Sequence, residues 1–219
     1  MRRSFARALV VGLVLVSVAL RAEEPLNLSR AKAAVKAYYD DGGYQNDLSQ
    51  VAAQAIDWIE KRAAAKQADE RLVMVFDVDE TVLSNYPEML REDFGYDPAR
   101  WVEWVEEAAA PALIPVREVY RAALRSGVDV IFLTGRKDPE ERAGTMKNLK
   151  STAMGTYAKL ILRTKGEADT AAARKSARRA EIEAEGWTII GTIGDQYSDL
   201  SGGHAERVFK LPNPFYFVP

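Results

Sequence analysis

Asp77 and Asp79 stand two residues apart in DVDET, directly after five apolar residues, Leu72 to Phe76. Side chains alternate along an extended backbone, so both carboxylates are expected on one side and in one site. Two later apolar runs end in polar groups of the same kind. VDVIFL is followed by Thr134, Gly135 and Arg136, and WTIIGTI by Gly194, Asp195 and then Asp199. If these runs are neighbouring parallel strands, up to four carboxylates converge at one sheet edge. Each close pair would repel by about 4 kcal/mol at about 4 Å and an effective dielectric near 20, so the cluster requires a cation. Ligands that are all oxygen call for a hard ion, and Mg²⁺ suits a site with two or three protein ligands completed by water and phosphate. The Thr134 hydroxyl and the Gly135 N–H suit a phosphate oxygen, and Arg136 beside them is read as a further substrate contact. Lys175 is the candidate to complete the charge balance, with Lys165 as the rival.

The elements that must position these groups are legible in the periodicity. Leu28 to Asp40 and Asp47 to Lys66 read as packing helices, the second through Leu48, Val51, Ala55, Ile59 and Ala63. Leu72 to Phe76 reads as a buried strand. A helix is expected to open at Asp97 and Pro98, and another to run from Val116 to Arg125 and stop at Gly127. Val128 to Leu133 is the next strand, and DPEE at 138 to 141 has the form of a helix N-terminus. A short strand at Leu160 to Leu162, a helix from Thr170 to Glu185 ended by Gly186, and the strand at 187 to 193 complete the alternation. Strands separated by helices imply an α/β fold, a Rossmann-like parallel sheet with helices on both faces. Ligands of such sheets bind at the carboxyl ends of the strands.

Composition narrows the chemistry. The 219 residues are 47% apolar and 28% charged, ordinary for a globular chain. There is no cysteine and one histidine, His204, which excludes thiolate and paired-histidine mechanisms and a disulfide framework. His204, in SGGHAER, reads as a surface or structural residue. Arg2, Arg3 and Arg7 precede an uncharged stretch from Ala8 to Leu20 and small residues, the pattern of a signal peptide over 1–22. Thirteen residues fall short of the roughly 20 that a spanning helix needs, so no stable membrane anchor is expected after cleavage. The mature chain, 23–219, is then read as a single exported domain, periplasmic or secreted, with RRSF hinting at twin-arginine export. Without four arginines it carries 26 basic against 32 acidic residues, about −6, which argues against a nucleic-acid polymer as partner. The basic run Arg174, Lys175, Arg178, Arg179 reads as a solvated helix side, Lys175 excepted.

In the order DVDET, LTGR, RKS and GDQYSDL, the chain resembles the haloacid dehalogenase superfamily, specifically its subfamily IIIB acid phosphatases, which include plant vegetative storage protein-like and class C bacterial enzymes. The resemblance covers roughly Asp57 to the C-terminus and includes the ending FKLPNPFYF. It implies phosphoryl transfer through an aspartyl-phosphate, with Asp77 as nucleophile and Asp79 as the acid and later the base. It also implies Mg²⁺ held by the Asp77 side chain, the Asp79 carbonyl and Asp195, with Asp199 one layer out, and a phosphoryl group held by Thr134 and Lys175. The substrates implied are small phosphorylated metabolites: aryl phosphates and nucleoside monophosphates, hydrolysed best at mildly acidic pH.

Tyr86, Phe94, Tyr96, Trp101 and Trp104 fall between the nucleophile strand and the next core helix, where the superfamily inserts cap elements, so 84–111 reads as a small helical cap insertion. These aromatics either stack on a leaving group or pack against the N-terminal helices. The alternative to an enzyme is a storage or binding protein on the same fold. Asp77 is intact, so the loss of the attacking acid that would mark that alternative is not seen. A signalling receiver domain ranks lower, and no G-x-x-x-x-G-K-[ST] is present for a nucleotide-hydrolysing machine.

Overall fold

The computed structural model describes residues 25–168 and 170–218. The segment read as an export signal lies outside the described residues. Five parallel strands make one sheet: β1 (Leu72–Phe76), β2 (Asp129–Lys137), β3 (Lys159–Arg163), β4 (Thr188–Gly194) and β5 (Val208–Lys210), in the order β3-β2-β1-β4-β5. β1 is central, with β2 and β4 on its two sides, so the three segments that carry polar termini are neighbours.

Why β1 is apolar throughout follows from its two covered faces. Leu72, Met74 and Phe76 join a core built with α2 (Gly43–Ala64) and α5 (Ile114–Arg125), whereas Val73 and Val75 pack with Ile182 of α7 (Ala171–Ala184). The period of two therefore sorts the residues between layers, and Asp77, the next residue on the Val73 and Val75 side, faces α7.

Several boundaries shift from expectation for local reasons. α1 (Leu28–Asp40) is capped by Asn27, and α2 begins at Gly43, earlier than Asp47, because Gly42 takes a left-handed φ of 83° that turns the chain between the two helices. DPEE does not open a helix. β2 runs on to Lys137, the Asp138 N–H donates to the Arg163 carbonyl of the neighbouring strand, and α6 (Arg142–Ser151) starts only after Glu141 has accepted the Lys137 N–H with its side chain at 2.8 Å. β5 and α8 (Tyr197–Leu200) are too short for a periodic signal.

The aromatic segment folds into α3 (Tyr86–Arg91) and α4 (Pro98–Glu107). Tyr86 stacks on Tyr39 of α1 with centroids 3.7 Å apart. α4 packs on α6, at a spot where a Cβ on Gly144 would collide with the Val105 carbonyl. Trp104 is buried and donates to Asn85 at 2.7 Å, while Trp101 is half-buried and lines a cavity.

At the far end of the sheet, Arg62 of α2 bonds both Glu70 and Glu206, tying the helix to the segments that enter β1 and β5. Bonding to Arg62 holds the Glu70 carboxyl down at about 2. A depressed folded-state pKa adds stability above the unfolded value, near 4.3, that is lost as pH falls through the folded one. Glu70→Gln should therefore lower the Tm at pH 7, and the gap to the wild type should close between pH 4.5 and about 2. Thermal melts across that range check it; a gap independent of pH would contradict the pairing.

Candidate active site

Three strand ends deliver three buried carboxylates. Asp77 follows β1, Asp195 follows β4, and Asp199 sits in α8 just beyond. One oxygen from each lies within 4.8 Å of the others. α7 presents Lys175 to the same point, with Nζ 2.5 Å from Asp77 and 2.6 Å from Asp199. Lys165, the rival, is exposed, so the structure places Lys175 at the acids.

Each acid is oriented by neighbours. Thr81 donates to both Asp77 (3.3 Å) and Asp195 (3.1 Å). The other Asp195 oxygen accepts from Gln196 at 2.6 Å and Asn213 at 2.7 Å. Asp199 takes the Gln196 N–H at 2.8 Å as a helix cap, so its carboxylate is divided between backbone and Lys175. Asn213 in turn accepts from the N–H groups of Phe215 and Tyr216, so the C-terminal tail braces the site.

The charges do not balance internally: three carboxylates and one ammonium leave two negative charges. Burial pushes Asp77 well above the usual carboxylate range; Lys175 opposes this, and Asp199 and Asp195 add to it. Burial, then the charge of Asp199, raises Asp195 to about 6, while bonds from Asn213 and Gln196 pull the other way. Burial alone would lower Lys175, yet Asp77 and Asp199 outweigh it and hold it protonated. Two surplus negative charges on hard oxygen donors fit one divalent cation such as Mg²⁺, and the three acidic residues are placed to hold a metal.

Asp79 does not join this cluster, contrary to the alternation argument. The extended backbone ends at Asp77: the N–H groups of Thr81, Val82 and Leu83 all turn back to the Val78 carbonyl, and Glu80 adopts a positive φ of 52°. The Asp79 carboxylate instead lies in the fork of Arg136, 2.7 Å from Nη2 and 3.1 Å from Nε, and accepts from Asn85 at 2.9 Å. Arg136, read as a substrate contact, is thus engaged by Asp79 and by Thr145 at 3.1 Å, beneath Trp101. Thr134 is buried at the end of the core part of β2, its hydroxyl accepting the Arg136 N–H at 3.1 Å, and Gly135 beside it is exposed. The only histidine is on the surface and pairs with Glu183 at 2.5 Å.

Sequence reasoning missed three further supports. Glu80 is fully buried and ties the DVDET turn to Asn85 and to the Tyr216 hydroxyl; burial and then Asp79 raise its carboxyl to about 8, against the Asn85 bonds. Asn213 belongs to a tail with no periodic signal. Arg179, read as solvated, is inaccessible, and its guanidinium donates to the carbonyls of Asp199 (2.6 Å), Gly203 (3.0 Å) and Ser201. A basic run gave no hint that the loop after α8 closes over it.

Residues 16–219 match the family model for the haloacid dehalogenase superfamily, subfamily IIIB (acid phosphatase). The chain is 38% identical over 189 residues to Acid phosphatase 1 of Solanum lycopersicum, covering 84% of this chain and 73% of that protein. It is 32% identical over 203 residues to Vegetative storage protein 1 of Arabidopsis thaliana, covering 89% and 74%. Its fold is similar to that of the class C acid phosphatase from Bacillus anthracis, with a TM-score of 0.70 at 23% identity over 86% of this chain and 85% of that one.

Gly194 leaves the space that Asp199 occupies, since a Cβ there would overlap the Asp199 carboxylate. Gly194→Ala should cost about 2 kcal/mol of unfolding free energy in EDTA, read from denaturant midpoints. An unchanged midpoint would show that Asp199 is free to swing away.

Proposed function

The chain belongs to the haloacid dehalogenase superfamily, subfamily IIIB, the acid phosphatases, and we propose that it hydrolyses small phosphate monoesters with Mg²⁺ through an aspartyl-phosphate on Asp77. The observation that carries this reading is the buried Asp77 carboxylate at the end of the central strand, bonded to Lys175 and grouped with Asp195 and Asp199.

The Asp77 oxygen attacks phosphorus as the ester P–O bond breaks, and the departing oxygen takes its proton from Asp79. Water then attacks the aspartyl-phosphate and gives its proton back to Asp79, releasing phosphate and restoring Asp77. Asp77 cannot fill both roles, and the turn after Val78 separates the two acids: one enters the buried charge cluster, the other the edge of an open cavity. Arg136 and Asn85 hold Asp79 in one orientation. Thr134, the Gly135 N–H and Lys175 would hold the phosphoryl oxygens. Asp77, Asp195 and the Asp79 carbonyl would hold Mg²⁺, with Asp199 bound to Lys175; the bound ion would offset the charge that gathers on the phosphoryl oxygens.

The requirement for a protonated Asp79 supports a mildly acidic working range. A cavity of about 570 Å³ opens at Asp79, lined by Trp101, Tyr96, Phe94 and Phe217 among others, room enough for an aryl or nucleoside leaving group. These walls come from α3, α4 and the C-terminal tail, which supports reading 84–111 as a small cap. The basic and apolar pattern of residues 1–22 supports export of a mature chain 23–219, and no helix of the described residues is long and apolar enough to cross a membrane.

An aryl phosphate assay tests the mechanism. Wild-type protein should turn over with Mg²⁺ and lose at least 100-fold with EDTA, and Asp77→Asn should lose at least 1000-fold (about 4 kcal/mol). Equal turnover by the wild type and Asp77→Asn would sink the role of Asp77, and an inert wild type across substrates would favour a storage protein.

A further inference from the structure

Beside the phosphoryl site lies a group of cations that the catalytic reading does not use. Lys137 and Arg163 are cross-strand partners at the ends of β2 and β3, both exposed and both on the wall of the cavity that Asp79 opens onto. Neither makes an ion pair among the described residues. Arg174 is only 7% exposed, yet its guanidinium makes no hydrogen bond among the described residues; its one ion-pair contact is Glu167 at 3.6 Å. Glu167 is already shared with Arg178.

The position of Arg174 points its function toward the site. Its Nη2 lies 3.7 Å from where a Cβ of Gly135 would be, so the guanidinium stands beside the Thr134–Gly135 end of the core part of β2. Burial, and then the nearby charge of Arg163, lowers the Arg174 pKa, so these two cations stand close enough to repel. Clustered like charges, one of them nearly buried, are costly without an anion between them. The six acids on the same cavity wall have partners of their own: Asp79 in Arg136, Glu80 in Asn85, Glu88 in Arg91, Glu92 in Arg100, Asp97 as the cap of α4, and Glu141 in the Lys137 N–H and Trp101.

We propose that Lys137, Arg163 and Arg174 form an anion subsite that takes a second phosphate on the leaving group, making bisphosphorylated small molecules preferred substrates. The proposal rests on the phosphatase reading above for its chemistry and adds the class of ester. One phosphate would occupy Thr134, Gly135 and Lys175, and the other would be met by the three cations, of which Lys137 stands three residues beyond Thr134 on the same strand, about 10 Å along it. Arg174, already desolvated, loses little hydration on forming charge-assisted bonds.

A pair of probes that differ only in the second phosphate tests it: 1,3-propanediol bisphosphate against propyl phosphate, at low ionic strength. The expected kcat/KM ratio is tenfold or more in favour of the bisphosphate. It should fall toward one in the double variant Lys137→Ala, Arg163→Ala and in high salt, because exposed charges are screened. Arg174→Lys, which keeps the charge, should retain more of the preference than Arg174→Met. A wild-type ratio near one, or a ratio unmoved by the double variant, would overturn the subsite. If neither ester turns over, the phosphatase reading fails on its own, and calorimetric Kd values for the two probes decide the subsite: tenfold tighter bisphosphate binding, lost in the double variant, supports it, and equal Kd values overturn it.

Discussion

The buried ammonium of Lys175, wedged between Asp77 and Asp199, is the contact on which the rest of the site depends. Three acids cannot share a desolvated space unless their charge is offset, and an isolated buried charge would either neutralise or pull in water. One lysine offsets a third of that charge. The remainder is a surplus of two negative charges, which a divalent cation would offset. The surrounding structure serves this pairing: α7 must lie on the face of β1 that Asp77 points to, and Arg179, four residues beyond Lys175 on the same helix, must hold the loop that carries Asp199.

Around this centre the protein keeps the two chemically distinct acids apart by a single turn. Asp77 sits in a closed cluster, and Asp79 stands at the mouth of a cavity in the grip of Arg136. The same turn is secured by Glu80, which is bonded to Asn85 on one side and to Tyr216 of the tail on the other. Because the tail also supplies Asn213 to Asp195, it supports both the acid cluster and the turn after Val78. A segment that belongs to no helix or strand thus acts as a strut of the site.

The segment between β1 and α5 has two functions that its aromatic content alone does not separate. Tyr86 and Trp104 are packing residues, one stacked on α1 and the other bonded to Asn85. Trp101 covers Arg136 and opens onto the cavity. Residues of one chemical class, within one short stretch, are divided between core and site by which face of α4 meets α6.

Local patterns were enough to indicate the parallel α/β architecture, the three strand ends, and Asp77, Asp195 and Asp199 as one group with Lys175 as the candidate cation, because a five-residue apolar run covered on both faces and polar groups at its end leave a strong one-dimensional trace. Only tertiary structure decided where Asp79 points, since a turn of three N–H groups on one carbonyl breaks the alternation that an extended strand would keep. It also decided that Arg179 is interior and that Asn213 reaches Asp195, because burial of a polar side chain depends on what folds over it, and residues 18 positions apart meet through a loop whose path no periodicity records.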